Sequence, residues 1–219
     1  MNEKMAMAKI RIAVLASGNG SDFQSIIDGV EAKKVNAEIV ALITDNPNAN
    51  ALNRAKKHGI ASQVIDFKSY SDRMKFDLDV KKKLDELKLD LVVLAGYMKL
   101  IKSKEWLKDY AGKMINIHPS LLPKFPGAHG QQDAFETGEK VSGYTIHFVD
   151  DSLDGGPIIL QEKVDISNCK SVDEVKAKIL AQEHVGLPKV VDMFSKGGFV
   201  IEEGKKGEMK RAKFVPDKQ

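Results

Sequence analysis

Four short apolar runs alternate with segments of helical spacing over the first 95 residues, and this alternation constrains the fold more than any other feature. Residues 10–16 read as a strand, and Ser17, Gly18, Asn19, Gly20 and Ser21 as a glycine-bearing turn. Phe23, Ile26, Ile27 and Val30 then recur on one helical face. Residues 37–44 form a second strand pattern, and 49–58 a helix closed by Gly59. Residues 61–65 give a third, short strand. Residues 71–88 predict a long charged helix that turns Met74, Leu78, Leu84 and Leu87 inward. Residues 89–95 are apolar enough for a strand buried on both faces. Strand–helix alternation of this kind predicts an α/β fold, an open, mostly parallel twisted sheet with helices on both faces. Ligands in such sheets bind outside the carboxyl ends of the strands. Three loops fall there: 17–21, 97–101 and 118–127.

The second half is less regular. Residues 141–149 and 157–164 read as strands flanking an acidic loop, and 171–194 as one helix or two. Residues 197–215 suggest a terminal hairpin with turns near Gly204 and Gly207. With no repeat or linker, one domain over residues 1–219 is expected, with 1–8 as a flexible N-terminal extension and 197–219 as hairpin and tail. The net charge of +3, from 34 Lys and Arg against 31 Asp and Glu, is too balanced to suggest nucleic-acid binding. No apolar run approaches the ~20 residues of a membrane helix. The single Cys169 excludes an internal disulfide and suits a reducing compartment, so a cytoplasmic protein is expected.

The segment Asn116-Ile117-His118-Pro119-Ser120-Leu121-Leu122-Pro123-Lys124 carries the strongest chemical signal. Strand side chains alternate, so Asn116 and His118 share a face. Pro119 ends the strand and biases His118 toward extended backbone. An amide and an imidazole projecting together can polarise a carbonyl and handle a proton. Asp154, in the acidic loop, is the natural partner of His118. The 17–21 turn opens a helix, whose free N–H groups and dipole suit a phosphate. It lacks the Lys-Ser/Thr of a Walker loop and the third glycine of the dinucleotide fingerprint. A tight turn without ligand fits the same residues equally well. Met98, Leu100 and Ile101 either belong to the core or wall an apolar slot for a planar ligand. His147, on a strand pattern, reads as packing; His58 reads as solvated. His129 and His184 are candidates for substrate neighbours or for structural roles. No metal is expected, because the histidines lack short ligand spacing and the cysteine is alone. Ser120 lacks the context of a nucleophile elbow.

Together the blocks SGNGS at 17–21, LAGYMKL at 94–100, NIHPSLLPKFPG at 116–127 and HFVDDSLDGGPIILQ at 147–161, with Gln182-Glu183-His184, closely resemble the glycinamide ribonucleotide formyltransferases of purine synthesis. The resemblance covers nearly the whole chain and implies a Rossmann-like formyltransferase fold. It implies formyl transfer from 10-formyltetrahydrofolate, as cosubstrate, to the primary amine of glycinamide ribonucleotide, by a monomer or homodimer. By the same resemblance Asn116, His118 and Asp154 match the catalytic residues. Asn19, Gly20, Ser21 and Asp22 would hold the phosphate through backbone amides, with the Asp22 carboxylate turned away, and Glu183 would hold the ribose. Tyr97, Met98, Lys99, Leu100, Asp150, Asp151 and Asp154 would receive the folate. The kinked loop implies a cis bond between Leu122 and Pro123.

Two positions depart from the family. Asp22 stands where Asn is common, and Lys99 where Arg is common, and an ammonium does not reproduce the guanidinium fork. The rivals are formyltetrahydrofolate hydrolase, methionyl-tRNA formyltransferase and a non-catalytic nucleotide-binding module. The hydrolase usually carries an N-terminal regulatory domain and the tRNA enzyme a basic C-terminal one, and neither is expected in this chain. A binding module would not need Asn116, His118 and Asp154 together.

Overall fold

The computed structural model describes residues 8–204 and 208–217. Almost all of the expected N-terminal extension, and the turn near Gly207, lie outside the described residues. One sheet of nine strands is described, in the order β3-β2-β1-β4-β5-β6-β7-β9-β8. Its strands are β1 (Ile10–Leu15), β2 (Ala37–Thr44), β3 (Ser62–Val64), β4 (Leu91–Leu94), β5 (Met114–His118), β6 (Val141–Phe148), β7 (Ile158–Asp165), β8 (Gly197–Glu202) and β9 (Arg211–Pro216). The strands from β3 through β5 run parallel, β6 and β7 antiparallel, and β8 and β9 form the terminal hairpin. The mostly parallel sheet and its hairpin thus follow the alternation in the sequence.

Chain direction across the sheet reverses at β1, which lies between β2 and β4. Such a switch point leaves a crevice at the carboxyl ends of the two central strands. The alternation of β1 shows why helices must cover both faces. Ile12 and Val14 join one buried cluster, while Ala13 and Leu15 join the other. The first cluster packs under α1 (Ser21–Glu31) and α6 (Val172–Phe194); the second packs under α3 (Arg73–Asp85) and α4 (Lys104–Asp109). The segment read as one helix or two is the single helix α6, capped by the Ser171 hydroxyl, which accepts from the Glu174 N–H at 3.2 Å. Two further helices are α2 (Ala51–Lys57) and α5 (Gly130–Glu136). The short α4 and α5 have no counterpart in the sequence reading.

Two expectations are corrected. In α3, Phe76, Val80 and Leu84 face the core, while Met74 and Leu78 are exposed. The rotation brings Asp77 inward, where its carboxylate accepts from the backbone N–H of Lys102 at 2.6 Å and of Ser103 at 3.0 Å. Arg73 completes the site with an ion pair of 2.9 Å to Asp77. His58 is not solvated: its Nδ1 lies 2.6 Å from Glu31 and its Nε2 3.1 Å from Gln24, joining the end of α2 to α1.

Candidate active site

Asn116 and His118 leave the last turn of pleat in β5 on one face, toward a cleft of about 500 Å³ at the switch point. That volume suits a small-molecule site. His118 is buried, and its Nε2 lies 2.8 Å from the Phe125 carbonyl. A carbonyl only accepts, so Nε2 carries the hydrogen. Nδ1 lies 3.4 Å from an Asp154 oxygen. With Nε2–H committed, Nδ1 is the ring nitrogen that faces the Asp154 carboxylate.

The proline-rich segment builds this geometry. The Leu122–Pro123 bond is cis, as expected. Ser120 is no nucleophile: its hydroxyl donates to the Lys124 carbonyl at 2.6 Å and fastens the loop. Gly130, which opens α5, permits a close approach. A Cβ there would stand 3.0 Å from the Phe125 carbonyl oxygen and 3.3 Å from His118 Nε2. Asp154 has a positive φ of 52°, a conformation Asp tolerates better than most residues. Its Oδ2 accepts the Gly127 N–H at 2.7 Å, so the acidic loop and the proline loop hold one another.

His147 belongs to this cluster and is more than packing. The antiparallel register of β5 and β6 sets it opposite Asn116. Its Nδ1 donates to the Phe148 carbonyl at 2.8 Å, leaving Nε2 to accept from the Asn116 amide at 3.2 Å. Burial holds the imidazole below its ordinary range and keeps it neutral, as an acceptor requires. Asn116 is thereby fixed with one amide hydrogen on His147 and the other free. The pairing across two strands, not a local motif, is the signal for His147.

At the other end of the cleft, α1 begins without a side-chain cap. The N–H groups of its first turn are therefore open to an anion. Gly20 holds the turn at φ 68°, and a Cβ on it would lie 2.7 Å from the Ala51 Cβ. α2 braces the loop from outside, where Arg54 donates to the Asn19 carbonyl at 2.8 Å and to Gln24 at 3.1 Å. Asn50 adds a hydrogen bond of 2.9 Å to the Asn19 side chain. Asn19, Gly20 and Ser21 sit outside the cleft wall proper, which Asp22 and Glu183 line. The Asp22 carboxylate faces inward, only 13% exposed, 3.8 Å from His184 on α6. Glu183 is 4% exposed and makes no hydrogen bond or ion pair among the described residues. Burial, helped by the Asp22 charge, pushes the Glu183 carboxyl up to about 8. Burial also raises Asp22, to about 6.

Between these ends runs the loop after β4. The Met98 N–H donates to the Ser17 hydroxyl at 2.8 Å, which pins the loop to the end of β1. Met98 and Leu100 are exposed on the cleft wall. Lys99 turns back to Asp45 at 3.4 Å and lies 4.4 Å over the Phe67 ring. Tyr97 is buried behind them, and burial pushes its phenol above the ordinary range. Asp150 also lines the cleft, and its carboxylate accepts the Ser152 N–H at 2.9 Å. Asp151 is exposed and stands outside the wall, as does His129. Among the described residues no cluster of His, Cys, Asp and Glu has the arrangement of a metal site. No described helix is long and apolar enough to cross a membrane.

The chain is similar to known proteins over nearly its full length. It is 39% identical over 194 residues to the phosphoribosylglycinamide formyltransferase of Escherichia coli (strain K12), covering 89% of this chain and 91% of that one. It is 36% identical over 201 residues to the trifunctional purine biosynthetic protein adenosine-3 of Homo sapiens, covering 92% of this chain but 20% of that much longer one. The crystal structure of glycinamide ribonucleotide transformylase 1 from Symbiobacterium toebii superposes with a TM-score of 0.88 at 38% identity, covering 97% of this chain and 98% of that one. A cleft with amide, imidazole and carboxylate at one end and an open helix start at the other accompanies a match to the formyl transferase family model over residues 10–191, and the chain belongs to that family.

Proposed function

We propose that the protein transfers a formyl group from 10-formyltetrahydrofolate to the primary amine of glycinamide ribonucleotide. The observation that carries this reading is the convergence of Asn116, His118 and Asp154 at one end of a cleft whose other end is the uncapped start of α1. A phosphorylated sugar would lie along the cleft, with its amine directed at the β5 end. The first-turn N–H groups of α1 take the phosphate, and Glu183 takes the ribose hydroxyls. Met98 and Leu100 wall the folate ring, and Lys99 contributes to the frame behind it.

The amine attacks the formyl carbon and the carbonyl oxygen becomes an oxyanion. Asn116 offers it the amide hydrogen that His147 leaves free. His118 offers Nδ1–H, whose 3.4 Å separation from Asp154 is long enough to be shared with an incoming oxygen. Removing one such donor costs about 10²–10³ in kcat in comparable sites. The Asp154 carboxylate balances the imidazolium charge. It also takes the proton that the amine loses and, through water, returns it to the departing folate nitrogen. The carbon–nitrogen bond to folate breaks as the oxyanion collapses, after the new bond has formed, so no covalent intermediate on the protein is needed. A reducing cytoplasm suits the solitary free Cys169.

The test is an assay of formyl transfer to glycinamide ribonucleotide, run beside a control without the amine. Stoichiometric formylated product, formed with no added metal, is expected and should survive a chelator. Formate release at a comparable rate in the control would make the protein a hydrolase instead.

A further inference from the structure

The two carboxyl groups at the α1 end take no part in the bond-making step, and their surroundings are unusual. Asp22 sits in the first turn of α1, and Glu183 faces the same corner of the cleft from α6, which packs against α1. Neither carboxylate has a hydrogen-bond donor: Asp22 Oδ1 is buried without a partner, and Glu183 makes no polar contact among the described residues. Two buried carboxylates that line one cleft and feel one another's charge cannot both ionise cheaply, and one shared proton relieves them.

The groups around the pair leave it without compensation. On α6, His184 lies 3.8 Å from Asp22, but its Nε2 has no hydrogen-bond partner and burial disfavours its charged form. On α2, the Arg54 guanidinium is engaged by Asn19 and Gln24 and itself opposes a charge on His184. Further along α1, Asp28 adds negative charge toward His184. On β6, Tyr144 lies under α6 near Glu183, and Glu162 of β7 stands beyond it. Among the described residues no ammonium or guanidinium donates to either carboxylate.

We infer that Asp22 and Glu183 retain one proton between them when the ribonucleotide is bound, so that Asp22 meets the phosphate as a hydrogen-bond donor and binding draws a proton from solvent. This rests on the function proposed above. A dianionic phosphate at the α1 start repels an ionised Asp22. A protonated Asp22 replaces that repulsion with an O–H donor, the part that an asparagine amide plays without a proton. The bound phosphate strengthens the hold on the shared proton, while Glu183 turns its carboxylate to the ribose hydroxyls. An Asp22→Asn exchange would thus convert a pH-dependent donor into a pH-independent one. Above neutral pH, affinity should fall as the free pair loses its last proton.

The experiment is calorimetric titration of the intact protein with glycinamide ribonucleotide between pH 6.5 and 9, in buffers of differing ionisation enthalpy. The Asp22→Asn variant is run in parallel, so that titration of the ligand's own amine and phosphate cancels. Net proton uptake is expected for the wild type near pH 8, and should vanish or reverse in the variant. Wild-type affinity should also fall up to about tenfold per pH unit relative to Asp22→Asn at the alkaline end. Equal proton numbers and parallel pH profiles in the two proteins would overturn the inference and leave the proposed function intact. Wild-type protein that binds no ribonucleotide at any pH would overturn the proposed function, and the inference with it. Glu183→Gln supplies a second check, since uptake that persists undiminished there would rule out a shared proton.

Discussion

At the β5 end of the cleft each polar side chain is held by a neighbour. Asn116 leans on His147, His118 on the Phe125 carbonyl, and Asp154 on the Gly127 N–H. At the α1 end the backbone turn is braced from behind by Arg54, but Asp22 and Glu183 face the cleft with no donor of their own. The difference fits two tasks. Groups that act on a fleeting charge gain from being fixed before it appears. Groups that meet a ligand already charged can be left for that ligand to satisfy, at the expense of a strained resting state. A fixed cluster should respond to mutation chiefly in kcat, and an unsatisfied one in KM and in pH behaviour.

The largest expected effect is at the fixed end. Asn116→Ala, His118→Ala and Asp154→Ala should each lower kcat by about 10²–10³ with a smaller change in KM, and the combined loss should fall short of additive. Steady-state kinetics of the single and triple variants measure this. Normal kcat with a raised KM would erase the contrast between the two ends.

Next comes the brace at the α1 end. Gly20→Ala places a side chain at φ 68° and against Ala51, and should destabilise the fold by about 2 kcal/mol, a fall in Tm of roughly 4–8 °C. An unchanged melting curve would show that the turn relaxes freely and is not rigid. Glu183→Gln should raise KM for the ribonucleotide roughly tenfold at nearly constant kcat, because a charge-assisted hydrogen bond becomes a neutral one. A loss confined to kcat would move Glu183 to the other side of the comparison.

The last expected effect is on stability against pH. Glu183 is raised in the folded state from 4.5 to about 8, so folding favours its protonated form. That contribution is fully present below pH 4.5 and is lost as pH rises toward 8. Ligand-free wild type should therefore lose more stability between pH 5 and 8 than Glu183→Gln does, by thermal or denaturant melting. Parallel curves would mean that the carboxyl finds a partner in solution.

Residue spacing made the β5 end legible. Asn116 and His118 stand two apart before a proline, and period-two geometry alone puts them on one face. His147 escaped because its role depends on a strand pairing across 31 residues, which no local pattern encodes. The face of α3 was misread for a related reason. Asp77 reads as a surface carboxylate until the Lys102 and Ser103 amides are seen to meet it, and those arrive from a loop about 25 residues away. The α1 turn was legible in its glycines as an open helix start, but the inward carboxylates were not, because burial of a charge is decided by what α6 brings.

Asp77 has a wider consequence. The loop after β4 is tied at its start to Ser17 and at its end to Asp77, and the Leu100 carbonyl is held by Arg73. Its backbone is a stretched frame, and the exposed side chains of Met98 and Leu100 are merely facing fitted to it. Evolution or an engineer can change the facing without disturbing the frame. Under the proposed function, new cosubstrate preferences should therefore come from exchanges at those two positions, at little loss of fold, while Ser17 and Asp77 stay as they are.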